Sequence, residues 1–263
     1  MRYIRLVVVL IRAAFQRESA FRINFFMNLL SVVLSLMGGI GGIMILYTNK
    51  ESLNGWTMPE TLAVLGVYML VQAAVGLVLS PSLNTLGGMG GELEAGTFDY
   101  TMLRPISKQF YVSLREWSLW QTLHIGVSIG VIAFAVHHMG VPLPVASVFW
   151  FLLSIGIAVG IYYAILLAVN SLAFWYRGTY VSWIVGDIMQ AGRYPIGIYP
   201  DRLRFFLTWV FPLGFIVSIP AEVLSQKAQP VMVLAGLGLM AVLFALATLF
   251  FRLSLRRYTS ASS

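Results

Sequence analysis

The sequence predicts an all-α membrane protein with six transmembrane helices, an N-terminal interfacial amphipathic helix and a re-entrant extracellular helix before the last span. Three observations lead to this fold class. Only 10% of the 263 residues are charged, whereas soluble domains carry roughly 25%. Several uncharged stretches reach the length of about 20 residues that a helix needs to cross a bilayer. Arginines lie near both ends of the chain, which indicates that both termini face the cytoplasm.

The predicted spans follow the uncharged stretches and end at breaks that proline and glycine supply. Pro81 and the glycine-rich residues 87–91 close the second span, and residues 140–144 separate the third from the fourth. The pair Gly38 and Gly42, four residues apart, indicates close helix packing. Because the positive charges flank the spans, the net charge of +7 indicates membrane topology and no nucleic-acid partner. The predicted spans cover approximately residues 23–48, 60–80, 113–139, 146–170, 174–199 and 229–252.

Residues 178–224 are apolar but interrupted by charges and prolines, and they admit two interpretations. If residues 179–199 and 203–224 both crossed the membrane, the chain would have seven spans and its termini would lie on opposite sides. The arginines at both ends require an even number of crossings, so we expect 203–224 to enter and leave from outside. Pro212 and Pro220 are expected to break this re-entrant helix. The arrangement leaves three arginines outside, against the charge rule: Arg193, Arg202 and Arg204.

Residues 1–22 precede the first span and are predicted to form an amphipathic helix rather than a crossing. On a helical wheel Arg2, Arg5 and Arg12 share one face, opposite an apolar face. Such a helix lies in the headgroup layer with its arginines on lipid phosphates. The alternative is a disordered start whose arginines only orient the chain.

The longest predicted cytoplasmic loop, residues 83–112, mixes acidic and apolar side chains. Its apolar residues would be exposed to water unless the loop docks on another surface. Pro105 is well placed to open the following helix. A docking element and a plain connector remain as alternatives at this point. The acidic residues are Glu92, Glu94 and Asp99, and the apolar ones are Leu93, Phe98, Tyr100, Met102 and Leu103.

Two stretches of the chain carry a family resemblance. Residues 91–99, GELEAGTFD, followed by residues 103–107, LRPIS, resemble the coupling loop of the permease subunits of ABC-2-type ABC transporters. Residues 193–200, RYPIGIYP, with prolines downstream, resemble a stretch found in one branch of that family. The order of parts is also similar: an interfacial helix, six spans, a loop after the second span and a re-entrant hairpin before the sixth.

The resemblance implies the permease subunit of an ATP-driven exporter in the inner or plasma membrane. In that family the loop carries a short coupling helix that sits in a groove of a separate ATPase, and the N-terminal helix is a connecting helix that helps to hold this ATPase. The implied partners are two ABC ATPase subunits, a second permease, identical or homologous, and membrane lipids. The loop residues that would receive the push of ATP-driven closure are Glu92, Leu93, Glu94, Phe98, Asp99, Arg104 and Pro105.

The composition excludes several chemistries. None of the three lysines, Lys50, Lys108 and Lys227, follows a glycine, so the chain has no Walker phosphate loop and ATP hydrolysis must come from a partner. The chain has no cysteine and therefore no thiolate ligand or nucleophile. Its histidines and acids are not spaced as metal ligands. We expect neither enzyme activity nor a cofactor or metal.

Two ionisable residues inside the predicted spans, His124 and Asp187, are candidate intramembrane sites, because charge at that depth is costly. For His124 a hydrogen bond to a neighbouring helix is the simpler interpretation. Asp187 either lines a path for substrate or, as we favour, pairs with Arg193 or Arg177. The spans offer few charges, which favours an amphipathic or hydrophobic substrate. The alternative functions are a transporter driven by an ion gradient and a membrane-embedded lipid-modifying enzyme.

Overall fold

The computed structural model describes residues 2–19, 22–87, 90–176 and 181–258. Within this part of the chain five helices are long and apolar enough to cross a membrane, or six if one bent pair counts as a single span. The only sheet among the described residues is a two-stranded hairpin. The prediction of an all-α membrane protein is therefore confirmed.

The described residues form α-helices joined by short turns. The helices are α1 (Arg2–Ser19), α2 (Arg22–Tyr47), α3 (Met58–Asn84), α4 (Phe98–Met102), α5 (Lys108–Leu114), α6 (Gln121–Met139), α7 (Val145–Ser171), α8 (Ser182–Gln190), α9 (Asp201–Phe205), α10 (Ile219–Leu224) and α11 (Pro230–Arg256). The hairpin strands are β1 (Ser52–Leu53) and β2 (Trp56–Thr57). The 3₁₀ turns are Leu172–Phe174, Ala191–Arg193 and Ile196–Ile198, and the π-helical turns are Phe206–Val210 and Gly214–Ser218.

The hairpin marks one end of the bundle, which we call the hairpin end. β1 pairs antiparallel with β2, with Leu53 opposite Trp56. The turn between them places Asn54 and Gly55 at φ of 48° and 81°. Asparagine and glycine tolerate this left-handed conformation, which a two-residue turn between antiparallel strands requires. The opposite end carries residues 85–120, between α3 and α6, and we call it the loop end.

α3 is the most buried of the five spanning helices, since 67% of its apolar segment is buried against 17% in α2, α6 and α11. It packs antiparallel to α6. At the loop end Ser118 donates its backbone N–H to the Leu77 carbonyl at 2.8 Å, and further along Gly66 leaves room for Ile132. The large exposed areas of α2, α6 and α11 are therefore available to lipid or to a second protein.

α7 and α11 run parallel, and this determines the direction in which the chain between them must run. α6 ends at the hairpin end, so α7 begins there, and Pro144 and Trp150 near its start line one cavity with Pro230 at the start of α11. At the far ends of the two helices Trp175 donates its indole N–H to Ser254 Oγ at 2.9 Å. Both helices run from the hairpin end to the loop end. The chain between them must therefore return to the hairpin end.

Residues 181–198 belong to this return and contain no helix of spanning length. α8 has nine residues, a length of about 14 Å. The 3₁₀ turns continue it, and Gly197 accepts a hydrogen bond from Asn54 Nδ2 at 2.9 Å, at the hairpin end. The region 174–199 was predicted to be the fifth span, but in the described part it is a short helix followed by turns. Pro195 contributes to this difference because it has no N–H to continue a helix.

The segments Asp201–Val210 and Gly214–Leu224 form a helix pair bent by 79°, and Pro212 lies at the bend. The pair begins just after the contact with the hairpin described above. It leads to Lys227, whose ammonium donates to the Gly55 carbonyl at 2.7 Å. The pair thus enters and leaves the bundle at the same end, which is the geometry of a re-entrant segment.

Pro220 does not break the helix as expected, because helical residues continue from 214 to 224. A proline lacks the N–H that would bond to the carbonyl four residues earlier. The π-helical turn Gly214–Ser218 widens the helix just before this position, and such wide turns accommodate a missing backbone bond. The single bend at Pro212 is enough to turn the chain back.

Candidate functional site

Arg115 holds together the loop between α3 and α6. Its side chain is only 4% exposed, and its guanidinium donates to the Glu92 carboxylate and to the Thr85 hydroxyl. Glu92 is also held through its backbone N–H, which donates to the Thr85 carbonyl at 2.9 Å. A buried arginine needs such partners, since an unpaired charge in the interior is costly. The start of the loop is thereby tied to the segment that leads into α6.

Two apolar residues of the predicted coupling site, Leu93 and Phe98, are buried inside the loop. The Phe98 ring packs edge-on against Phe174, with 5.3 Å between ring centres, and against Tyr258 at 5.1 Å. Tyr258 also donates its hydroxyl to Asp99 Oδ1 at 2.8 Å. These side chains fasten the loop to the ends of α7 and α11, so they do not form its outer surface.

The outer surface of the loop lies at and after the end of α4. We call its exposed residues the tip: Tyr100, Met102, Leu103, Arg104 and Pro105. Leu103 is 80% exposed and Tyr100 is 71% exposed. Lys108 stabilises the tip, because its ammonium donates to three backbone carbonyl oxygens there. The distance from Lys108 Nζ to the Met102 carbonyl oxygen is 2.7 Å. A cation at the carbonyl end of a helix is favourable. The tip is thus largely apolar, exposed and held by the chain itself.

Two charged residues of the predicted site, Glu94 and Arg104, are exposed on the same loop. Glu94 accepts the backbone N–H of Gly90 at 2.9 Å. The Arg104 guanidinium carbon lies 4.4 Å from the centre of the Tyr111 ring, within cation–π distance. The exposed surface of the loop therefore carries a negative group and a positive group as well as the apolar residues of the tip.

α1 lies across the loop end and is fastened to the segment before α6. Arg17 forms an ion pair with Glu116 at 2.7 Å. The Glu18 carboxylate accepts the backbone N–H of Leu119, with both oxygens at 3.0 Å. Burial raises the pKa of Glu18, and the Leu119 N–H opposes that effect by stabilising the carboxylate. These contacts fix the C-terminal end of α1.

The other end of α1 forms a groove with the tip. Tyr3 packs edge-on against Phe110, with 4.8 Å between ring centres, and Arg5 lines a groove of about 350 Å³ together with residues of the tip. Arg5 and Arg12 are exposed, as the basic face of an interfacial helix should be. The Arg2 side chain lies outside the described residues. The helical conformation of α1 favours the predicted helix over a disordered start.

The two predicted intramembrane sites lie on different helices. His124 is in the first turns of α6, close to the loop end, and is half-buried. Asp187 is exposed on α8 and accepts a hydrogen bond from Gln190 Nε2 at 3.1 Å. Neither residue lies in the loop, so the candidate site at the loop end does not include them.

Of the two arginines expected to pair with Asp187, the structure describes only Arg193, and its guanidinium has a different contact. Arg193 lies with its guanidinium over the Tyr68 ring, 5.7 Å from the ring centre. Arg177 lies outside the described residues. Among the described ion pairs, none involves Asp187. Its carboxylate therefore stands on the outer face of α8 with an amide as its hydrogen-bond donor.

The position of α8 along the bundle gives the exposure of the Asp187 carboxylate a meaning. Tyr68 lies about 15 Å along α3 from the hairpin end, and a Cβ on Gly192 would lie 3.4 Å from its ring. α8 ends just before Gly192 and extends toward the loop end, so Asp187 lies roughly halfway between the two ends of the bundle, at the depth that we expect to meet the middle of a hydrocarbon layer about 30 Å thick. A carboxylate exposed to lipid at that depth is costly. This face of α8 is therefore better suited to water or a second protein than to lipid.

Apolar helices of spanning length define a multi-pass membrane protein, and the folded loop at one end distinguishes it from a simple bundle. Residues 29–262 match the family described as ABC-2 family transporter protein. Because the match covers most of the chain, the chain belongs to this family and is an ABC-type permease. No curated protein and no solved structure matches it.

Membership in this family implies association with ABC ATPase partners. The chain itself has no Walker motif, since no lysine follows a glycine. Among the residues that the structure describes, no group of three or more His, Cys, Asp or Glu could hold a metal ion.

Sequence reasoning missed the residues that hold the loop in place. Arg115, Lys108 and Tyr258 bind the loop through an ion pair, a carbonyl cap and a hydroxyl–carboxylate bond. The alternation of acids and bases around residues 92–115 was visible, but the pairing was not. A carboxylate at 92 and an arginine at 115 become neighbours only after the loop has folded.

Proposed function

We propose that this chain is the permease subunit of an ATP-driven exporter, whose loop end receives the push of a separate ATPase. One observation carries the proposal: the loop exposes an apolar tip, while its interior is fastened to the ends of two spanning helices. Exposed apolar surface of this kind is typical of a docking site. A plain connector would need neither the buried Arg115 nor the exposed Leu103.

The contacts of the loop supply a route for the push. Force on the tip reaches α4, where Phe98 contacts Phe174 after α7 and Asp99 binds Tyr258 after α11. Because packed side chains resist compression, displacement of the loop displaces the ends of both helices. We expect two ATPase subunits, one for each permease in the complex.

The membrane-facing surface supports pairing with a second permease, identical or homologous. Asp187 and Gln190 are exposed at mid-membrane depth on α8, which a partner or a water-filled path would explain. Large apolar residues are also exposed on α8, on α2 and on the first arm of the bent pair: Trp183, Ile184, Met37, Met44, Phe205, Phe206 and Trp209. A path bounded by such side chains favours an amphipathic or hydrophobic substrate.

We expect the protein to lie in the inner or plasma membrane. The distribution of arginines supports an orientation in which the loop end faces the cytoplasm. Arg5 and Arg12 on α1 and Arg252 and Arg256 at the end of α11 all belong to the loop end. The positive-inside rule places such clusters on the cytoplasmic side. An ATPase that docks there has access to cytoplasmic ATP.

The experiment replaces Leu103→Asp at the tip and isolates the chain with its ATPase from membranes of the native host. The matched control is Val145→Asp, an equally exposed apolar residue at the start of α7, at the hairpin end. We expect the wild type and Val145→Asp to retain an associated ATPase and ATP-dependent transport, and Leu103→Asp to lose both. Its thermal unfolding should be unchanged because position 103 is exposed.

The proposal fails if the wild type carries no ATPase, or if Leu103→Asp keeps full ATP-dependent transport. Transport by the isolated chain that follows an imposed ion gradient would favour the secondary-transporter alternative.

A further inference from the structure

A groove at the loop end, separate from the tip, has an arrangement of side chains that the transport function does not use. It has a volume of about 440 Å³ and lies between α5, α7 and α11. This volume is in the range of small-molecule sites. Phe110, Leu114 and Phe244 form its apolar part, and Gln109, Thr248 and Arg252 form its polar part.

The polar wall of the groove is a closed hydrogen-bond network. Gln109 Nε2 donates to the Tyr163 hydroxyl and to Thr248 Oγ1, both at 3.1 Å. The Tyr163 hydroxyl also shares a hydrogen bond with Ser113 Oγ at 2.9 Å. The network joins α5, α7 and α11, so the wall exists before any ligand binds. Because this wall carries hydroxyl groups, a hydrocarbon tail alone would be a poor match for it.

One stripe of α11 displays three different chemistries in a fixed order. Phe244, Thr248 and Arg252 are spaced by four residues, which places them on the same face of the helix. From the membrane interior toward the loop end, the stripe reads aromatic ring, hydroxyl, guanidinium. A phospholipid in the same leaflet presents acyl chain, ester and glycerol oxygens, and phosphate in that order.

Arg252 has its charge available for a ligand. It is exposed, and it is the first charged residue of α11, which begins at Pro230. None of the ion pairs among the described residues includes it. An arginine at this depth reaches the headgroup layer, where an anionic headgroup is its natural partner.

We propose that this groove binds one anionic phospholipid of the leaflet at the loop end, with the phosphate on Arg252 and the first acyl carbons against Phe244. A free phosphate would satisfy Arg252 alone and leave the apolar part of the groove unfilled. A neutral amphiphile would fill the groove and leave the guanidinium without its counter-charge. The occupant that satisfies both parts is an anionic lipid.

The test measures binding of a fluorescent phosphatidylglycerol, and of its phosphatidylcholine counterpart, to the purified full chain in neutral detergent. We expect tighter binding of phosphatidylglycerol, and about fivefold weaker binding to Arg252→Gln, the effect of one arginine at an anionic headgroup. Arg252→Lys should keep most of the affinity. The matched control is Arg256→Gln, which removes the same charge one turn further along α11, outside the groove, and should change nothing.

Two results would overturn the assignment. If Arg252→Gln and Arg256→Gln weaken binding equally, the attraction is a diffuse effect of basic charge and no site exists. If phosphatidylcholine binds the wild type as tightly as phosphatidylglycerol, the guanidinium has no role.

A second measurement locates the lipid directly. A phosphatidylglycerol with a photoreactive group near the start of its acyl chain should label peptides containing Leu114 and Phe244. Excess unlabelled phosphatidylglycerol should abolish the labelling, and inorganic phosphate should not. Labelling confined to other peptides contradicts the site. Because neither measurement requires an ATPase or transport, each can succeed or fail independently of the proposed function.

Discussion

Two ion pairs at the loop end place similar charges in different surroundings. Arg115 is almost completely buried beside Glu92, whereas the Arg17 side chain is 55% exposed beside Glu116. Breaking a buried pair by removing one partner costs several kcal/mol, because the other charge is left without compensation. An exposed pair contributes little, since water and salt replace the lost partner.

The first prediction follows from this contrast. Arg115→Met should lower the free energy of unfolding by about 3 kcal/mol, and Arg17→Met by less than about 1 kcal/mol. Chemical unfolding in detergent measures both. Adding Glu92→Gln to Arg115→Met should recover part of the loss, since the unpaired carboxylate is then removed. Equal effects of the two arginine variants would contradict the role given to Arg115.

The same residues show how far the sequence predicts the site. The exposed groups Arg104 and Pro105 were placed in the predicted site because local turn chemistry and the resemblance to a coupling loop both mark them, and their role there stays a prediction. Leu93 and Phe98 were placed in the same site, and whether they face inward depends on contacts with Phe174 and with residues after α11. Such contacts join parts of the chain far apart in sequence, and no local pattern reports them.

Among the secondary-structure elements, the stretch 193–200 is held by contacts at the hairpin end. The Tyr194 hydroxyl lies against Gly42 of α2, in the space that a Cβ at position 42 would take. Tyr199 donates its hydroxyl to the Ala191 carbonyl at 2.9 Å. The tyrosines of this stretch therefore fasten an irregular segment to the helices and turns around it.

The second prediction tests this packing with two glycines of one helix. Gly42→Ala should destabilise the protein by about 1–3 kcal/mol, because the new methyl group overlaps the Tyr194 hydroxyl and overpacking costs that much. Gly38→Ala should be tolerated, since nothing lies within 4 Å of its added Cβ. Thermal unfolding of both variants in the same detergent gives the comparison. Equal stability of the two would show that Tyr194 moves aside freely.

Hydropathy alone specifies the long apolar helices. α2, α3, α7 and α11 lie close to the predicted spans, because a helix is the only way to satisfy a long apolar segment in lipid. The path of region 174–199 is set instead by Pro195 and by contacts of Gly192 and Gly197 with α3 and the hairpin. Those contacts require the rest of the bundle to exist.

At the scale of the whole described chain, α7 and α11 run parallel, so the start of α2 and the end of α11 both lie at the loop end. Arg193, Arg202 and Arg204 lie on the side of the hairpin end, where the positive-inside rule disfavours arginines. The structure gives two of the three a partner. Arg204 binds Asp201, three residues earlier, and Arg193 lies over the Tyr68 ring. Partial compensation of this kind lowers the cost of placing them against the rule.

The last prediction tests the threading of the chain, and the absence of cysteine makes it direct. Single variants Glu51→Cys, Asp201→Cys and Gln226→Cys should all react with a membrane-impermeant maleimide on intact cells, because the three positions are exposed at the hairpin end. Tyr100→Cys, exposed on the tip, should react only after permeabilisation. Positions 201 and 226 flank the bent pair, so their reaction from the same side is required by a re-entrant segment. If one of them reacts only in permeabilised cells, the bent pair crosses the membrane and the two termini lie on opposite sides.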